Sequence, residues 1–133
     1  MSNTKATGVA YLDPEFSTMY ATDEIGYAAS AQGTVTQATS KSTAVTLDKS
    51  MGRITMNNAS LASVTNVTFT LNNSFISAND VLILNVGAGA TAGAYNCWVS
   101  GLSAGSASLT LRNISGGSLS EAVVINFALI HNQ

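Results

Sequence analysis

The sequence is poor in the residues on which most recognisable protein chemistry depends. It has one cysteine, one proline and one histidine, and only 9% of its residues are charged, against roughly 25% in an average soluble protein. The single cysteine, Cys97, excludes an intramolecular disulfide framework. Five Lys and Arg residues in a chain of net charge −2 lack the basic footprint of a nucleic-acid binder, so we expect no nucleic-acid partner.

Long hydrophobic runs are also missing. No apolar run reaches the roughly 18 residues that a membrane-spanning helix needs, so we expect no membrane partner. The first residues, MSNTKATG, have no apolar core, which predicts that they are not a secretory signal. We therefore expect a soluble protein that is made and used in the cytosol.

The inventory of catalytic groups does not favour an active site. The one histidine, His131, lies near the end of the sequence, where we expect a solvated side chain rather than a triad member. Zinc sites need about three or four His, Cys, Asp or Glu ligands, which one His and one Cys far apart do not supply. The glycine-rich run 87–93 lacks the GK[ST] signature of a phosphate loop, so we interpret it as a flexible hairpin connection. We expect no enzyme activity, no cofactor and no metal.

Polarity in this chain comes mainly from neutral side chains, since Ser, Thr and Asn contribute 44 of the 133 residues. This length is that of one domain. The surface of a small monomeric domain usually carries about 25–35% charged residues for solubility. A neutral surface favours coverage by neighbouring subunits, with a weakly charged monomer as the alternative.

Residues 1–32 differ from the rest of the chain and predict an N-terminal arm. They hold four of the seven acidic residues, the only proline and three of the four tyrosines, and their apolar periodicity is poor. We predict an extended arm with one helical turn near Pro14–Tyr20. Such a segment either docks on a partner or forms a surface strand or loop of its own domain. The candidate partner-binding residues are acidic or aromatic: Asp13, Glu15, Phe16, Tyr20, Asp23 and Glu24.

From Gly33 onward, apolar residues recur with a period of two, which is typical of half-buried β-strands. Together with the intervening Gly, Asn and Ser clusters, this alternation predicts eight strands, over 34–38, 44–47, 53–56, 66–71, 81–86, 95–99, 106–112 and 122–130. Helical turns are allowed only at Ala28–Ala31 and Ala59–Val64. Eight short strands favour an all-β, jelly-roll-like β-sandwich over residues 33–133.

The alternation also predicts which side chains face the core. On the three clearest strands these are Val67, Phe69, Leu71, Ala107, Leu109, Leu111, Val123, Ile125, Phe127 and Leu129. The last strand is apolar on both faces, which predicts a central position or a subunit contact. Cys97 is expected to face the core with Tyr95 and Val99, so that Trp98 points the other way, towards a partner, a sugar or another subunit. The candidate subunit contacts are Trp98, Val124 and Ile130.

Four runs within residues 33–133 carry a family resemblance: Gly33–Leu47, Gly52–Leu61, Thr91–Tyr95 and Leu111–Ala122. They resemble a β-rich module of the virion proteins of tailed bacteriophages and prophages. The resemblance covers about three quarters of the chain and leaves residues 1–32 unplaced. It implies a virion structural component and transfers no catalytic residue.

Short chains of this kind are similar to capsid decoration (cement) proteins, which sit as trimers on the phage head and reinforce it. The resemblance thus implies a homotrimer, made in the host cytoplasm, that binds the major capsid protein on the capsid surface of the virion. The arm residues would then contact the capsid. Three alternatives stay open: a tail or head fibre module that binds a host receptor or a carbohydrate, an adhesin or lectin-like sandwich unrelated to phages, and a small hydrolase.

Overall fold

The architecture is a sandwich of two β-sheets. The structure, a computed structural model, describes residues 16–132. A 3₁₀ turn at Ala29–Ala31 precedes the strands β1 (Gln32–Thr36), β2 (Val45–Thr46), β3 (Met51–Thr55), β4 (Asn66–Asn72), β5 (Val81–Ala88), β6 (Tyr95–Ser103), β7 (Ser106–Asn113) and β8 (Val124–Ile130). The all-β, jelly-roll-like sandwich that the alternation predicts is confirmed, with its eight strands in two four-stranded sheets.

Each sheet combines parallel and antiparallel pairs. Sheet I has the order β1-β3-β8-β5, and sheet II has the order β2-β4-β7-β6. The pairs β1/β3 and β2/β4 are parallel and the others are antiparallel. Parallel neighbours need a crossover between them. The chain supplies it by alternating between the sheets over its first four strands, so that β2 links β1 to β3 and β3 links β2 to β4.

The core lies between the sheets, and the side chains predicted to face it do so. Nine of the ten are fully buried, namely Phe69, Leu71, Ala107, Leu109, Leu111, Val123, Ile125, Phe127 and Leu129, while Val67 is half-buried and packs against them. Burying a side chain of this size contributes roughly 1.5–3 kcal/mol relative to leaving it exposed. The predicted central position of the last strand is confirmed, because β8 lies between β3 and β5.

Gly52 in β3 lies at a point of close packing between the sheets. A Cβ atom at this position would lie 2.6 Å from side-chain atoms of both Leu47 and Phe127. Any larger residue would therefore force these core side chains apart.

The structure differs from the sequence prediction in three places. The run 87–93 does not close a hairpin, since β5 pairs with β8 in sheet I while β6 pairs with β7 in sheet II, and residues 89–94 cross between the sheets. Of the predicted helical turns, that near residues 28–31 is present as the 3₁₀ turn. Ala59–Val64 contains no helix: Leu61 forms a β-bridge with Leu119, and only residues 63 and 64 form a turn. In the segment Pro14–Tyr20, residues 14 and 15 lie outside the described residues, and residues 16–20 are not helical.

Within the described chain, no helix has the length and apolarity to cross a membrane.

Candidate interaction surfaces

Residues 16–28, here called the arm segment, contain four of the six predicted partner-binding residues. Asp13 and Glu15 lie outside the described residues. The other four are all exposed: Phe16, Tyr20, Asp23 and Glu24. The side chains of Phe16 and Tyr20 are 61% and 88% exposed, so neither packs substantially on its own domain.

Two further apolar residues of the arm segment are exposed, and the sequence prediction did not name them. Met19 is 66% exposed and Ile25 is 79% exposed. Both residues lie between predicted partner-binding residues or next to one, so their position in the sequence indicated them. They are aliphatic, whereas the prediction named only acidic and aromatic residues. The arm segment thus has an exposed apolar composition rather than a purely acidic one.

The arm segment joins the sandwich at Tyr27. The Tyr27 hydroxyl donates a hydrogen bond to the carbonyl oxygen of Leu129 in β8, and the Gln32 side chain donates to the carbonyl oxygen of Tyr27 over 2.7 Å. Lys49 Nζ donates to the carbonyl oxygen of Ser30 over 2.9 Å. These bonds attach the end of the arm segment to sheet I, next to a set of exposed apolar side chains.

These side chains form the apolar patch, on the outer face of sheet I. Its members are Met51, Val81, Ile83, Ala128 and Ile130. Val81 lies opposite Ile130, while Ile83 lies opposite Ala128, which in turn lies opposite Met51 on its other side. Three of them, Val81, Ile83 and Ile130, are 50–53% exposed. A groove of about 440 Å³ separates the patch from Ile25, Gly26 and Tyr27.

The other half of the same face is polar. A second groove, of about 550 Å³, runs over β1 and β3 and is lined by Gln32, Gly33, Thr34, Met51, Gly52, Arg53 and Asn126. Arg53 lies opposite Asn126, and the side-chain oxygen of Asn126 is buried without a hydrogen-bond partner among the described residues. The outer face of sheet I therefore changes from apolar near β5 to polar and positively charged near β1.

Trp98 lies on the outer face of sheet II, as its alternation with Cys97 predicts. It is 36% exposed and lies opposite Thr110. Thr110 shares a hydrogen bond of 2.7 Å with Thr68 and donates one of 2.9 Å to Ser100, which makes a ladder of hydroxyl groups across three strands. The ring of Trp98 thus sits on an uncharged, hydroxyl-rich row.

The three predicted subunit contacts do not form one surface. Val124 and Ile130 are on the outer face of sheet I, whereas Trp98 is on the outer face of sheet II. Ile130 belongs to the apolar patch, while Val124 is half-buried at the opposite end of β8. One flat contact cannot cover all three residues.

A cluster of titratable groups ties the loops together at one end of the sandwich. Lys41 is 4% exposed, and its Nζ donates to the carbonyl oxygens of Asn57 and Glu121, each over 2.5 Å. Burial lowers the pKa of Lys41, and the Glu121 carboxylate opposes this shift.

Both Glu121 carboxylate oxygens accept hydrogen bonds from Thr91, which lower the pKa of Glu121. Burial, assisted by Glu121, raises the pKa of Tyr95 to about 12. Lys41, Thr91 and Glu121 are thus engaged in a structural tie, while the Tyr95 hydroxyl is buried without a hydrogen-bond partner among the described residues.

His131 is exposed, as expected, and it makes a contact that the sequence did not predict. Although 54% of its side chain is exposed, its Nδ1 lies 3.0 Å from Oδ2 of Asp80, whose side chain is fully buried. Asp80 also accepts hydrogen bonds from the Ser77 amide and hydroxyl and from the Asn132 amide. The Ser77 amide is the main cause of a pKa for Asp80 that lies well below its usual range. The pair fastens the segment after β8 to the loop before β5.

Cys97 is half-buried against the core, as predicted, and burial raises the pKa of its thiol. A protonated thiol is a weak nucleophile. Within residues 16–132, no three of the His, Cys, Asp and Glu side chains form a group that could hold a metal ion.

Comparisons with protein-family models, with curated proteins and with solved structures found no match to this chain. The similarity to phage virion modules thus depends on the sequence runs quoted above for residues 33–133, and it remains a prediction.

Proposed function

We propose that this chain is a structural protein of a bacteriophage virion, namely a capsid decoration protein that binds and stabilises the head shell as a trimer. The observation that carries the proposal is the arm segment, in which four large apolar side chains are 61–88% exposed: Phe16, Met19, Tyr20 and Ile25. Fully burying side chains of this kind contributes roughly 1.5–3 kcal/mol each. These side chains bury little of their surface on their own sandwich. Docking on a second protein would bury them and so stabilise the arm segment.

The acidic residues of the arm segment suit a docking role. Asp23 and Glu24 lie between the exposed apolar residues Tyr20 and Ile25, where their charges would face the same partner. Charges beside an apolar contact contribute to orientation and register more than to raw affinity. A basic strip beside an apolar groove on the major capsid protein is therefore the expected receiving surface.

Several arms acting together would explain how a small protein reinforces a shell. In a trimer, three arm segments reach three sites at once, and each bound arm raises the effective concentration of the next. The neutral Ser, Thr and Asn surface of the sandwich lets copies pack closely without burying unpaired charge. Both features support an assembly that clamps neighbouring capsid subunits.

The location is tested by immunogold electron microscopy of purified virions with an antibody raised against residues 33–133. Label spread over the heads supports decoration. Label confined to tails or fibre tips refutes decoration and favours the fibre alternative described below, and particles without label refute both.

The role of the arm segment is tested by adding purified protein to heads that lack it and measuring the bound fraction by sedimentation. We expect the double variant Phe16→Ser/Tyr20→Ser to bind at least about tenfold more weakly, since tenfold corresponds to only 1.4 kcal/mol. The matched control is Phe75→Ser, which removes an aromatic ring that is 47% exposed elsewhere on the domain. Equal binding by wild type and the double variant would refute the arm as the capsid contact.

The Trp98 face favours a second candidate, a fibre module that binds a host-surface carbohydrate. An exposed indole ring beside neutral hydroxyl groups can stack on the apolar face of a sugar while its neighbours exchange hydrogen bonds with the sugar hydroxyls. Glycan-array binding by the wild type that is lost in Trp98→Ala and kept in Phe75→Ala would support this candidate. No glycan binding by the wild type would remove it.

A further inference from the structure

Strand β5 is an edge of sheet I that the described chain leaves uncovered. Its strand neighbour in the sheet is β8 on one side, and on the other side it has none among the described residues. Edge strands are usually protected by Lys, Pro, bulges or a covering loop. In β5 a bulge follows Val86, which leaves residues 81–86 regular and without Lys or Pro. The other edge on this side of the sandwich, β6, is interrupted near its middle by a bulge between Val99 and Gly101.

The charge distribution singles out the same region. From Val81 to Leu111 the sequence contains no Asp, Glu, Lys, Arg or His. This span includes both β5 and β6, which stack on each other across the sandwich. The apolar patch continues this neutral edge onto the outer face of sheet I. Among the residues of the four strands of that sheet, only Arg53 in β3, on the polar half of the face, is charged.

We propose that β5 and the apolar patch form the contact between copies of this chain, with Ile83 close to the symmetry axis. In a closed symmetric assembly, residues near the axis meet their own copies. A charged residue in that position would face a like charge, so a surface that binds its own copy must be neutral at its centre. The apolar patch meets this requirement, whereas the arm segment, with Asp23 and Glu24, does not.

A second copy also fits the chemistry of the patch better than a different partner does. Interfaces between identical subunits are more apolar than transient ones, with an apolar fraction near 65% in their cores. Val81, Ile83 and Ile130 provide about half-exposed branched side chains in neighbouring rows. The inference deepens the proposed function: it rests on the proposed self-association, names the surface by which copies meet, and does not depend on binding to a capsid.

The first test measures the mass of the full-length protein by size-exclusion chromatography with light scattering. We expect the wild type to elute as a multiple of the 13.6 kDa chain and Ile83→Glu to elute as a monomer. The matched control is Thr34→Glu, which places the same charge at an exposed position of β1, the opposite edge of the same sheet. The control should keep the wild-type mass. A monomeric wild type, an oligomeric Ile83→Glu or a dissociated control would each overturn the proposal.

The second test does not depend on a disruptive variant. With Cys97 replaced by Ser, Ile83→Cys gives a chain with one thiol that lies near the proposed axis. We expect mild oxidation to join two such chains covalently at low concentration, and Thr34→Cys in the same background to stay unlinked. Equal cross-linking of the two variants, or none in Ile83→Cys, would overturn the proposal. Neither test involves capsids, so their failure is separate from failure of the head-binding assay.

Discussion

Asn113, at the end of β7, provides the sharpest test of how the loops of this sandwich are held. Its side chain is fully buried. The Nδ2 group donates to the carbonyl oxygens of Leu61 and Gly117, over 2.9 and 2.8 Å. The Oδ1 atom accepts from the amide and the hydroxyl of Ser115, over 2.9 and 2.7 Å. One carboxamide thus joins the loop before β4 to the loop after β7, with all its hydrogen-bonding capacity in use.

The substitution Asn113→Asp keeps the shape of the side chain and removes both donors. The carbonyl oxygens of Leu61 and Gly117 each lose one of two donors, because the Leu119 amide and the Ser115 hydroxyl remain within 3.0 Å of them. Each lost hydrogen bond costs about 0.5–1.5 kcal/mol, and the ionised carboxylate that replaces the amide is buried against both oxygens at a further cost. We therefore expect a fall of about 2–5 kcal/mol in the free energy of unfolding at pH 7, a large part of a typical total of 5–15 kcal/mol. No cavity forms, so the loss reports hydrogen bonding rather than packing.

The destabilisation should depend on pH. Burial and the two facing carbonyl oxygens raise the pKa of the introduced carboxyl above its ordinary value of about 3.9. Below that ordinary value the carboxyl is protonated in both the folded and the unfolded chain, and it can donate to one carbonyl oxygen. As pH rises, the unfolded chain ionises first, and the variant loses stability until the folded-state pKa is passed.

The assay is urea unfolding followed by Trp98 fluorescence, at pH 4 and pH 7. The control is Asn58→Asp, which makes the same chemical change at an exposed position after β3. The control should stay within about 0.5 kcal/mol of the wild type, as most surface changes do. An Asn113→Asp variant within the same limit at pH 7, or one whose loss is larger at pH 4 than at pH 7, would refute the reasoning.

Three further predictions concern packing, acid stability and thiol reactivity. Gly52→Ala should lower the free energy of unfolding by about 1–3 kcal/mol through overpacking, whereas Gly116→Ala, which has open space around its Cβ position, should have little effect in the same urea titration. Because the folded-state pKa of Asp80 is depressed, its contribution to stability is complete above about pH 4 and is lost as pH falls. The unfolding midpoint of Asp80→Asn should therefore vary less between pH 2 and pH 5 than that of the wild type, and an equally steep decline would contradict this. The Cys97 thiol should react slowly with a chromogenic disulfide in the folded protein and rapidly in urea; equal rates would contradict its burial.

Local features of the fold were predictable from the sequence because they depend on local alternation. The alternation of Val67, Phe69 and Leu71 predicts both a strand and the face that is buried. No helical periodicity is present in the same segment. The pairing of strands was not predictable, since alternation says nothing about partners. The run 87–93 therefore suggested a hairpin where the chain in fact crosses between the sheets.

Among the surface features, too, those that depend on local sequence were predictable and those that depend on topology were not. The outward position of Trp98 follows from its neighbours in β6, and the exposure of Phe16 and Tyr20 agrees with the poor periodicity of the arm. The contact between His131 and Asp80 joins residues 51 positions apart, so no local sequence pattern predicts it. Nor does the sequence reveal that Trp98 and Ile130 lie on opposite sheets, because that depends on the topology of the whole sandwich.

The position of β8 has a consequence for how the chain folds during its synthesis. This strand follows the other seven along the chain, yet it occupies the middle of sheet I, between β3 and β5. The ribosome therefore releases β4, β6 and β7 of sheet II before the inner pairs of sheet I can form. Pairing between strands so distant in sequence is slow, and it leaves apolar faces open to aggregation in the meantime. Until residues 124–130 have left the ribosome, β3 and β5 lack their common neighbour, and a nascent chain stalled before that point is a natural substrate for chaperones.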